Sequence, residues 1–217
     1  MGFYDSRYGL RNLDEKRVND RGNGFDGLYG VRNFRQVLRG VFYRGGANNL
    51  YHREKRRDNR NPLPDDGLYN LCSEGFKNAI YLYATGFKKA PPVVNCESSV
   101  QGRNRLVYEQ LSFASKTRAI LERVHAAIVN PEQGPVYAHC WNGWHASGFA
   151  AAVSLRQFCG MDGDSAVAYW IRNTDGNDGR SYDGHKRRIR EFIPYSDLQI
   201  DPATRSRICP SSTGEFE

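Results

Sequence analysis

The sequence predicts an α/β fold in which helices flank a central, mostly parallel sheet. Short apolar runs rich in Val, Ile and Tyr alternate along the chain with segments that show one apolar helical face. The 217 residues suffice for one well-buried domain. Residues 135–158 have the pattern of a strand, a glycine-containing loop and an apolar helix, and such loops form ligand sites at the carboxyl ends of parallel strands.

Turn residues and capping signals predict the first elements. Residues 1–35 are rich in Gly, Asn, Asp and Arg and lack apolar periodicity, so we expect an irregular N-terminal wrap. An apolar run closed by two glycines predicts a strand at residues 40–46. Asp65 or Asp66 can cap a helix that continues through Cys72.

The middle of the chain is predicted from charge and β-propensity. Residues 53–60 form a basic run that we expect to be an exposed loop. Residues 78–83 are rich in residues that suit pleated surfaces, which predicts a second strand. Residues 86–105 contain two adjacent prolines and are predicted to be a loop, followed by a third strand at residues 106–113.

Helical periodicity dominates the remainder. Apolar residues recur at three- and four-residue steps from 116 to 130, and Pro131 ends this helix. Residues 135–139 are the fourth predicted strand, and residues 147–158 form an apolar helix. Two further helices are predicted at residues 164–172 and 185–192. Residues 36–217 are therefore expected to form the single folded domain.

Composition limits the partners. The net charge of +7 favours phosphates or other anionic ligands, whereas a solvated surface accounts for most of this charge and nucleic acid is not favoured. The sequence contains no run of 18 apolar residues, so we predict no transmembrane span. Because the N-terminus does not resemble a signal peptide, a soluble cytoplasmic protein is the default expectation, with export open if a leader has been removed. The sequence leaves the oligomeric state open.

Cysteine and histidine spacings argue against a metal or a cofactor. The five irregularly spaced cysteines do not fit a zinc ribbon or a dense disulfide scaffold, although one bridge such as Cys72–Cys96 is compatible with an extracytosolic location. His139, Cys140 and His145 do not match common zinc patterns. Residues 173–179 lack the glycine that a calcium loop has at its sixth position, and Gly184 stands where the closing glutamate would be, so we expect a turn that shapes the rim of the site.

The strand–loop–helix segment carries the chemistry. Its residues are His139, Cys140, Trp141, Asn142, Gly143, Trp144, His145, Ala146, Ser147 and Gly148. Backbone N–H groups of such a loop, together with the N-terminus of the following helix, can surround an anion. A cysteine at this position should lose its proton readily, because thiolate is favoured near helix N-termini.

This segment resembles the phosphate-binding loop of the cysteine-dependent tyrosine and dual-specificity phosphatases. That family's pattern is His-Cys, two residues, Gly, two residues, Arg, and then Ser or Thr. The resemblance extends over roughly residues 33–192 and implies a dual-specificity-phosphatase-like fold with no cofactor. It implies that Cys140 is the nucleophile, that His139 holds the loop, and that Ser147 assists the leaving thiolate. The implied anion-binding residues are Trp141, Asn142, Gly143, Trp144, Ala146 and Gly148.

Two functional groups of the family are missing. Ala146 occupies the position of the arginine that grips the phosphoryl oxygens, and it has no donor. The general-acid aspartate has no counterpart in residues 113–117. Losing the acid costs roughly 10²–10⁴ in rate and losing one transition-state donor roughly 10²–10³. We therefore expect an anion-binding, pseudophosphatase-like protein whose phosphomonoester hydrolysis is weak or absent.

Two alternatives remain open. The protein is an active cysteine-dependent phosphatase if His145, or an arginine from elsewhere in the chain, replaces the missing groups. The candidate arginines are Arg44, Arg172 and Arg180. If His145 has no catalytic role, we expect its ring to have a structural role and to stack on Trp141 or Trp144. A third hypothesis is a thiol-based sulfur-transfer or redox enzyme that uses Cys140.

Overall fold

The computed structural model describes residues 2–54 and 63–216, and within these ranges helices pack on both faces of one six-stranded sheet. The strands are β1 (Val31–Leu38), β2 (Phe42–Ala47), β3 (Asn78–Tyr81), β4 (Val93–Ser98), β5 (Gly102–Gln110) and β6 (Val136–Cys140). The helices are α1 (Phe3–Tyr8), α2 (Asp65–Ser73), α3 (Thr117–Val129), α4 (His145–Cys159), α5 (Gly163–Arg172), α6 (Asp183–Arg190) and α7 (Pro202–Ile208).

The centre of the sheet is parallel and its edges are antiparallel. The strand order is β1-β2-β6-β3-β5-β4. Strand β6 pairs in parallel with both β2 and β3, and β3 pairs in parallel with β5. The outer pairs, β1 with β2 and β4 with β5, are antiparallel. The predicted α/β class with a mostly parallel centre is confirmed, and β6 places its carboxyl end in the middle of the sheet.

Alternating side chains of the central strands build two cores. Phe42 and Ala138 join the apolar cluster that α3, α4 and α5 cover. Their neighbours Tyr43 and Tyr137 join the aromatic cluster on the opposite face, which α2 covers. This alternation follows from the two-residue period of a strand, and burial on both faces explains why the central strands contain few polar residues.

Every helix predicted from periodicity is present, but two strands lie where none was predicted. Strand β1 begins inside the predicted irregular wrap of residues 1–35, and α1 also lies in that segment. Strand β1 was not predicted because it contains polar residues such as Arg32 and Arg35. These side chains are buried, and they have their interaction partners only in the folded protein. The prediction of a loop over residues 86–105 is wrong, because β4 lies there as an edge strand with partly exposed side chains.

The basic run at residues 53–60 lies mostly outside the described residues, which omit 55–62, so its predicted exposure stays a prediction. In the described ranges no helix is long and apolar enough to cross a membrane.

Two disulfide bonds tie the periphery to the core. Cys72–Cys96 links α2 to the edge strand β4, with a Cα–Cα distance of 6.1 Å. Cys159–Cys209 links the end of α4 to the end of α7 at 5.5 Å. The first bridge, Cys72–Cys96, is the pair that we named as an example from the sequence, and the second bridge was not predicted. Cys140 is the one free cysteine, and it is buried.

Removing the second bridge should lower stability. The double variant Cys159→Ser/Cys209→Ser loses a crosslink between residues 50 apart in sequence. We expect the free energy of unfolding to fall by about 2–4 kcal/mol, because the unfolded chain regains the freedom that the crosslink removes. Urea unfolding under non-reducing conditions measures this. The matched control is Cys72→Ser/Cys96→Ser, whose cysteines are 24 residues apart. If the free energy of unfolding of Cys159→Ser/Cys209→Ser equals that of the wild type, this bridge contributes nothing to stability.

Candidate anion-binding site

The loop between β6 and α4 follows a path that only glycine permits at its centre. Gly143 has a φ of +79°, in the left-handed region. A Cβ atom at this position would lie 2.8 Å from Asn33 Cβ and 2.8 Å from the carbonyl carbon of Gly45. A Cβ on Gly46 would overlap the carbonyl oxygen of Trp141. Gly46 therefore lets the loop pack directly against β2.

The carbonyl oxygens of Trp141, Asn142 and Gly143 accept hydrogen bonds from donors in β1 and β2. The contacts are Ala47 N to Trp141 O at 2.9 Å, Asn33 Nδ2 to Asn142 O at 2.7 Å and Arg44 Nη1 to Gly143 O at 2.8 Å. Arg32 Nε adds a second donor to Trp141 O at 3.3 Å. Because the C=O and N–H of a peptide point in opposite directions, this arrangement turns the loop amides away from the β1–β2 side.

Within the described residues, the loop amides from residue 142 onward have no protein partner. Across residues 2–54 and 63–216, no protein acceptor forms a hydrogen bond with the backbone N–H groups of residues 142–147. These groups continue into the first turn of α4, a 15-residue helix whose N-terminus carries partial positive charge. Unpaired amides around a helix N-terminus form an anion site.

Cys140 lies at the start of the loop beside Ser147. Its Sγ is 3.5 Å from Ser147 Oγ, and both side chains are almost completely buried. The serine hydroxyl also lies 3.4 Å from Arg44 Nη1. This is the contact that the resemblance requires if Ser147 is to stabilise a departing Cys140 thiolate.

Arg44 reaches the loop from β2 and is fully buried beneath it. Besides Gly143 O, its Nε donates to Tyr169 Oη at 3.0 Å and its Nη2 lies 3.5 Å from Asn173 O. Of the three arginines considered as replacements for the missing loop arginine, Arg44 alone contacts the loop: Arg172 binds Asp14 at 3.2 Å and Arg180 is exposed. Arg44 thus holds the loop backbone through its carbonyl.

A second buried guanidinium adds positive charge near Arg44. Arg35 faces Arg44 across the β1–β2 pair and is 2% exposed. Burial, followed by the charge of Arg44, lowers the pKa of Arg35 to about 10, so it remains charged at neutral pH. Asp175 lies 3.7 Å away and offsets part of this charge. The excess cation charge beneath the loop favours an anion above it.

His139 is buried and neutral. Its Nδ1 donates to Cys140 O at 3.1 Å, and its Nε2 accepts from Tyr108 Oη at 2.9 Å. Burial lowers the pKa of His139 to about 3. The ring stacks against Tyr81 and Tyr137 at centroid distances of 5.5 and 5.8 Å. His139 therefore fixes the backbone at Cys140, and its ring is uncharged at neutral pH.

His145 is directed at the rim of the site. Its Nε2 donates to Asn177 O at 2.6 Å, and its ring stacks on Tyr182 at 3.8 Å. Burial lowers the pKa of His145. Trp144, whose ring meets His145 edge-on, donates from Nε1 to Asp175 Oδ2 at 2.9 Å. Loop residues 173–179 thus adjoin the candidate site.

Ala146 and Gly148 serve packing in the first turn of α4. Ala146 is fully buried and belongs to the same apolar cluster as Cys140. A Cβ on Gly148 would lie 3.0 Å from Trp170 Cδ1 and 3.4 Å from Arg44 Nη1. Glycine at this position therefore allows α5 and the Arg44 guanidinium to approach α4.

Sequence reasoning missed Tyr83. This half-buried residue follows β3, and it lies near enough to Cys140 for the charge of one side chain to affect the other. The charge of Cys140 as a thiolate, and then burial, raise the pKa of Tyr83 well above its ordinary value. No sequence signal marks Tyr83, since only the strand order places the end of β3 beside the end of β6.

Metal-ligating side chains do not cluster here. In the part of the chain that the structure describes, no group of three His, Cys, Asp or Glu side chains could hold a metal ion.

Comparison with known proteins identifies structural neighbours of low identity. The core catalytic domain of the PP-IP phosphatase Siw14 from S. cerevisiae, in complex with citrate, is 13% identical with a TM-score of 0.45, and the match covers 75% of this chain and 86% of that one. A second structure of the Siw14 catalytic core is 12% identical with a TM-score of 0.44, covering 76% and 86%. No protein-family model and no curated protein matches the chain.

Replacing Arg44 should destabilise the loop. We expect Arg44→Met to lower the free energy of unfolding by about 2–4 kcal/mol, because Gly143 O and the Tyr169 hydroxyl lose their buried partner. Urea unfolding measures the change. The exposed Arg172, replaced by Met, is the matched control and should change stability by less than about 0.5 kcal/mol. Equal stabilities of the two variants would contradict the role of Arg44.

The buried neutral His139 should make stability depend on pH. Its folded-state pKa of about 3 lies below the ordinary value of 6.5, so the unfolded chain binds more protons between these limits. This contribution is complete above pH 6.5 and is lost as pH falls toward 3, at up to about 1.4 kcal/mol per pH unit. Urea unfolding from pH 6.5 to 4.5 should show a shallower slope for His139→Asn than for wild type. His125→Asn, on α3, is the control, and identical slopes for all three proteins would exclude the effect.

Proposed function

We propose that residues 141–148 of this protein bind phosphate or a similar tetrahedral anion, as the loop of the cysteine-dependent phosphatases that it resembles does. The observation that carries the proposal is the orientation of the loop. Its carbonyl oxygens are held by β1 and β2, so the amides of residues 142–147 are free to donate beside Cys140. Two buried guanidinium groups beneath the loop favour a negative ligand.

We propose that ordinary phosphomonoester hydrolysis is weak or absent. Ala146 supplies no donor, and the Arg44 guanidinium is committed to Gly143, Tyr169 and Asn173. Residues 111–116, which follow β5, contain no carboxylate that could protonate a leaving group. These two deficits together correspond to about 10⁴–10⁷ in rate.

A second candidate is an active cysteine-dependent hydrolase. The 3.5 Å contact between Cys140 and Ser147 favours it, since the nucleophile and the hydroxyl that assists it are adjacent. His145 is less suited to compensate, because its Nε2 is bonded to Asn177 O. A thiol-based sulfur-transfer reaction is the third candidate: Cys140 is the free thiol while the other four cysteines are paired. A persulfide on Cys140, detected by intact mass, would favour this reaction.

The two disulfides bear on location. Structural disulfides persist in oxidising compartments and are rare in the cytosol of mesophiles. The pairing of four cysteines therefore favours export over the cytoplasmic default for this chain.

Anion binding should depend on the path of the loop. We expect inorganic phosphate to raise the melting temperature of the wild type and to have at least a tenfold weaker effect on Gly143→Ala, because the new Cβ would displace the loop. Differential scanning fluorimetry over a phosphate titration measures this. Gly102→Ala is the matched control: its φ of +76° brings similar strain, yet open space surrounds it. Equal phosphate responses of the two variants would refute the proposed site.

Turnover of para-nitrophenyl phosphate separates a binding protein from an enzyme. We expect no turnover above the level of Cys140→Ser, because the donor and the acid are missing. Turnover by wild type that Cys140→Ser abolishes would establish the second candidate instead. The variant Ala146→Arg tests whether the missing guanidinium alone limits the reaction.

A further inference from the structure

The turn at residues 173–179 holds two consecutive residues of the segment that joins β6 to α4. Trp144 Nε1 donates to Asp175 Oδ2 at 2.9 Å, and His145 Nε2 donates to Asn177 O at 2.6 Å. Both contacts lie at the start of α4, whereas the donors from β1 and β2 hold the carbonyls in the first half of the loop. The two ends of the loop are therefore fixed by different parts of the chain.

Hydrogen bonds inside this turn fix its own shape. Asn177 Nδ2 donates to Thr174 O at 3.0 Å and to Asp175 O at 3.1 Å, and Asn177 N donates to Thr174 O at 3.1 Å. The Thr174 side chain is fully buried. Asp175 has a φ of +52°, in the left-handed region that aspartate tolerates better than most residues. The Asp175 carboxylate is thus carried by a backbone that is itself constrained.

The negative charge of Asp175 is balanced by cations from outside the loop. Lys16 Nζ lies 2.9 Å from each carboxylate oxygen, and Arg35 Nη2 lies 3.7 Å from Oδ1. Burial by itself would raise the pKa of Asp175, but Lys16 and Arg35 outweigh it, so the pKa falls below its ordinary value and the carboxyl is ionised at neutral pH. Because two cations face one carboxylate, no excess negative charge remains beside the anion site.

The contact from Asp175 restrains the peptide groups around Trp144. This residue follows Gly143, whose φ is +79°, and precedes the first helical residue, His145, and its own backbone is not helical. Its carbonyl accepts from Gly148 N at 3.0 Å, and its indole is held by Asp175. Fixing both groups restricts rotation of the peptides on either side of Trp144, whose N–H groups have no acceptor in the described part of the chain.

We propose that Asp175 is a positioning residue of the anion site: by holding the Trp144 indole, it orients the N–H groups of Trp144 and His145 toward an anion bound by residues 141–148. The proposal rests on the anion-binding function above, and it adds the residue outside the loop on which the donors nearest the helix depend. Asp175 does not touch the anion. It acts through the oxygen acceptor that it offers to the indole, and its negative charge is not required.

The test is tungstate binding to two variants of Asp175. Tungstate is a tetrahedral oxyanion, and isothermal titration calorimetry gives its dissociation constant. Asp175→Gly removes the acceptor and suits the left-handed φ, so we expect binding about threefold to tenfold weaker than to the wild type, the size of one lost hydrogen bond. Asp175→Asn keeps an oxygen acceptor for the indole, and its affinity should lie within about twofold of the wild type. Asp183→Ala, whose exposed carboxylate pairs with Lys186 at 3.3 Å, is the control and should bind like the wild type.

A double variant shows whether Asp175 acts through Trp144. Trp144→Phe keeps an aromatic ring but has no N–H to donate, so by itself it should weaken tungstate binding as Asp175→Gly does. Combined with Asp175→Gly it should cause no further loss, because both changes remove the same contact. If the two losses multiply, Asp175 acts independently of Trp144 and the proposal is wrong.

Three other results would also overturn the proposal. Equal tungstate affinity of Asp175→Gly and the wild type would show that the contact does not position the donors, and would leave the anion site intact. Tighter binding to both Asp175 variants would show that the carboxylate repels the anion. Asp175→Asn as weak as Asp175→Gly would show that the charge, and not the acceptor, matters. If the wild type binds neither tungstate nor phosphate, the anion-binding function itself fails, and the role of Asp175 with it.

Discussion

The fixation of the loop carbonyls by β1 and β2 is the constraint on which the site depends. A loop of four residues between a strand and a helix can turn its peptide groups in many ways. Here one buried guanidinium, from Arg44, binds the carbonyl of Gly143, and the Asn33 side chain binds that of Asn142. With these carbonyls held on one side, the N–H groups of the same peptides point away from β1 and β2.

Glycine at two positions makes this fixation possible. Gly46 lets β2 lie against the loop, and Gly143 provides the left-handed turn. A side chain at either position would separate the loop from the strands that orient it. The site is therefore a property of two packed segments, residues 44–47 and 140–148, that are distant in sequence and adjacent through the β2–β6 pairing.

The placement of positive charge is the physical basis of the proposed function, in which the protein binds an anion but hydrolyses a phosphate ester poorly. The guanidinium of Arg44 is beneath the loop, where it stabilises the bound geometry in the absence of ligand and donates to protein acceptors. An arginine at the position of Ala146 would instead strengthen its contacts as charge develops in the transition state. Loop amides that are oriented in advance do not replace this stabilisation of the transition state relative to the bound substrate.

Local patterns determined much of this protein. Three- and four-residue apolar periodicity predicted α3, because such periodicity is the direct consequence of burying one helical face. A run of apolar residues predicted α4, and a capping aspartate predicted α5. The order His139, Cys140, Gly143 and Ser147 predicted a strand, a tight turn and a helix, since these residues are consecutive in the chain. Cys140 and Ser147 lie 3.5 Å apart, as that order implied.

Only the tertiary structure decided what surrounds the loop. Strand β1 contains Arg32, Asn33 and Arg35, and these polar residues suggest a solvated segment when only the sequence is considered. In the structure they are buried. Arg32 and Asn33 donate hydrogen bonds to loop carbonyls, and Arg35 forms an ion pair with Asp175. Tyr83 lies near Cys140 across 57 residues of chain because β3 pairs with β6. Sequence periodicity reports which side chains are buried but not which strand is adjacent to which, and strand adjacency selects the groups that meet at the site.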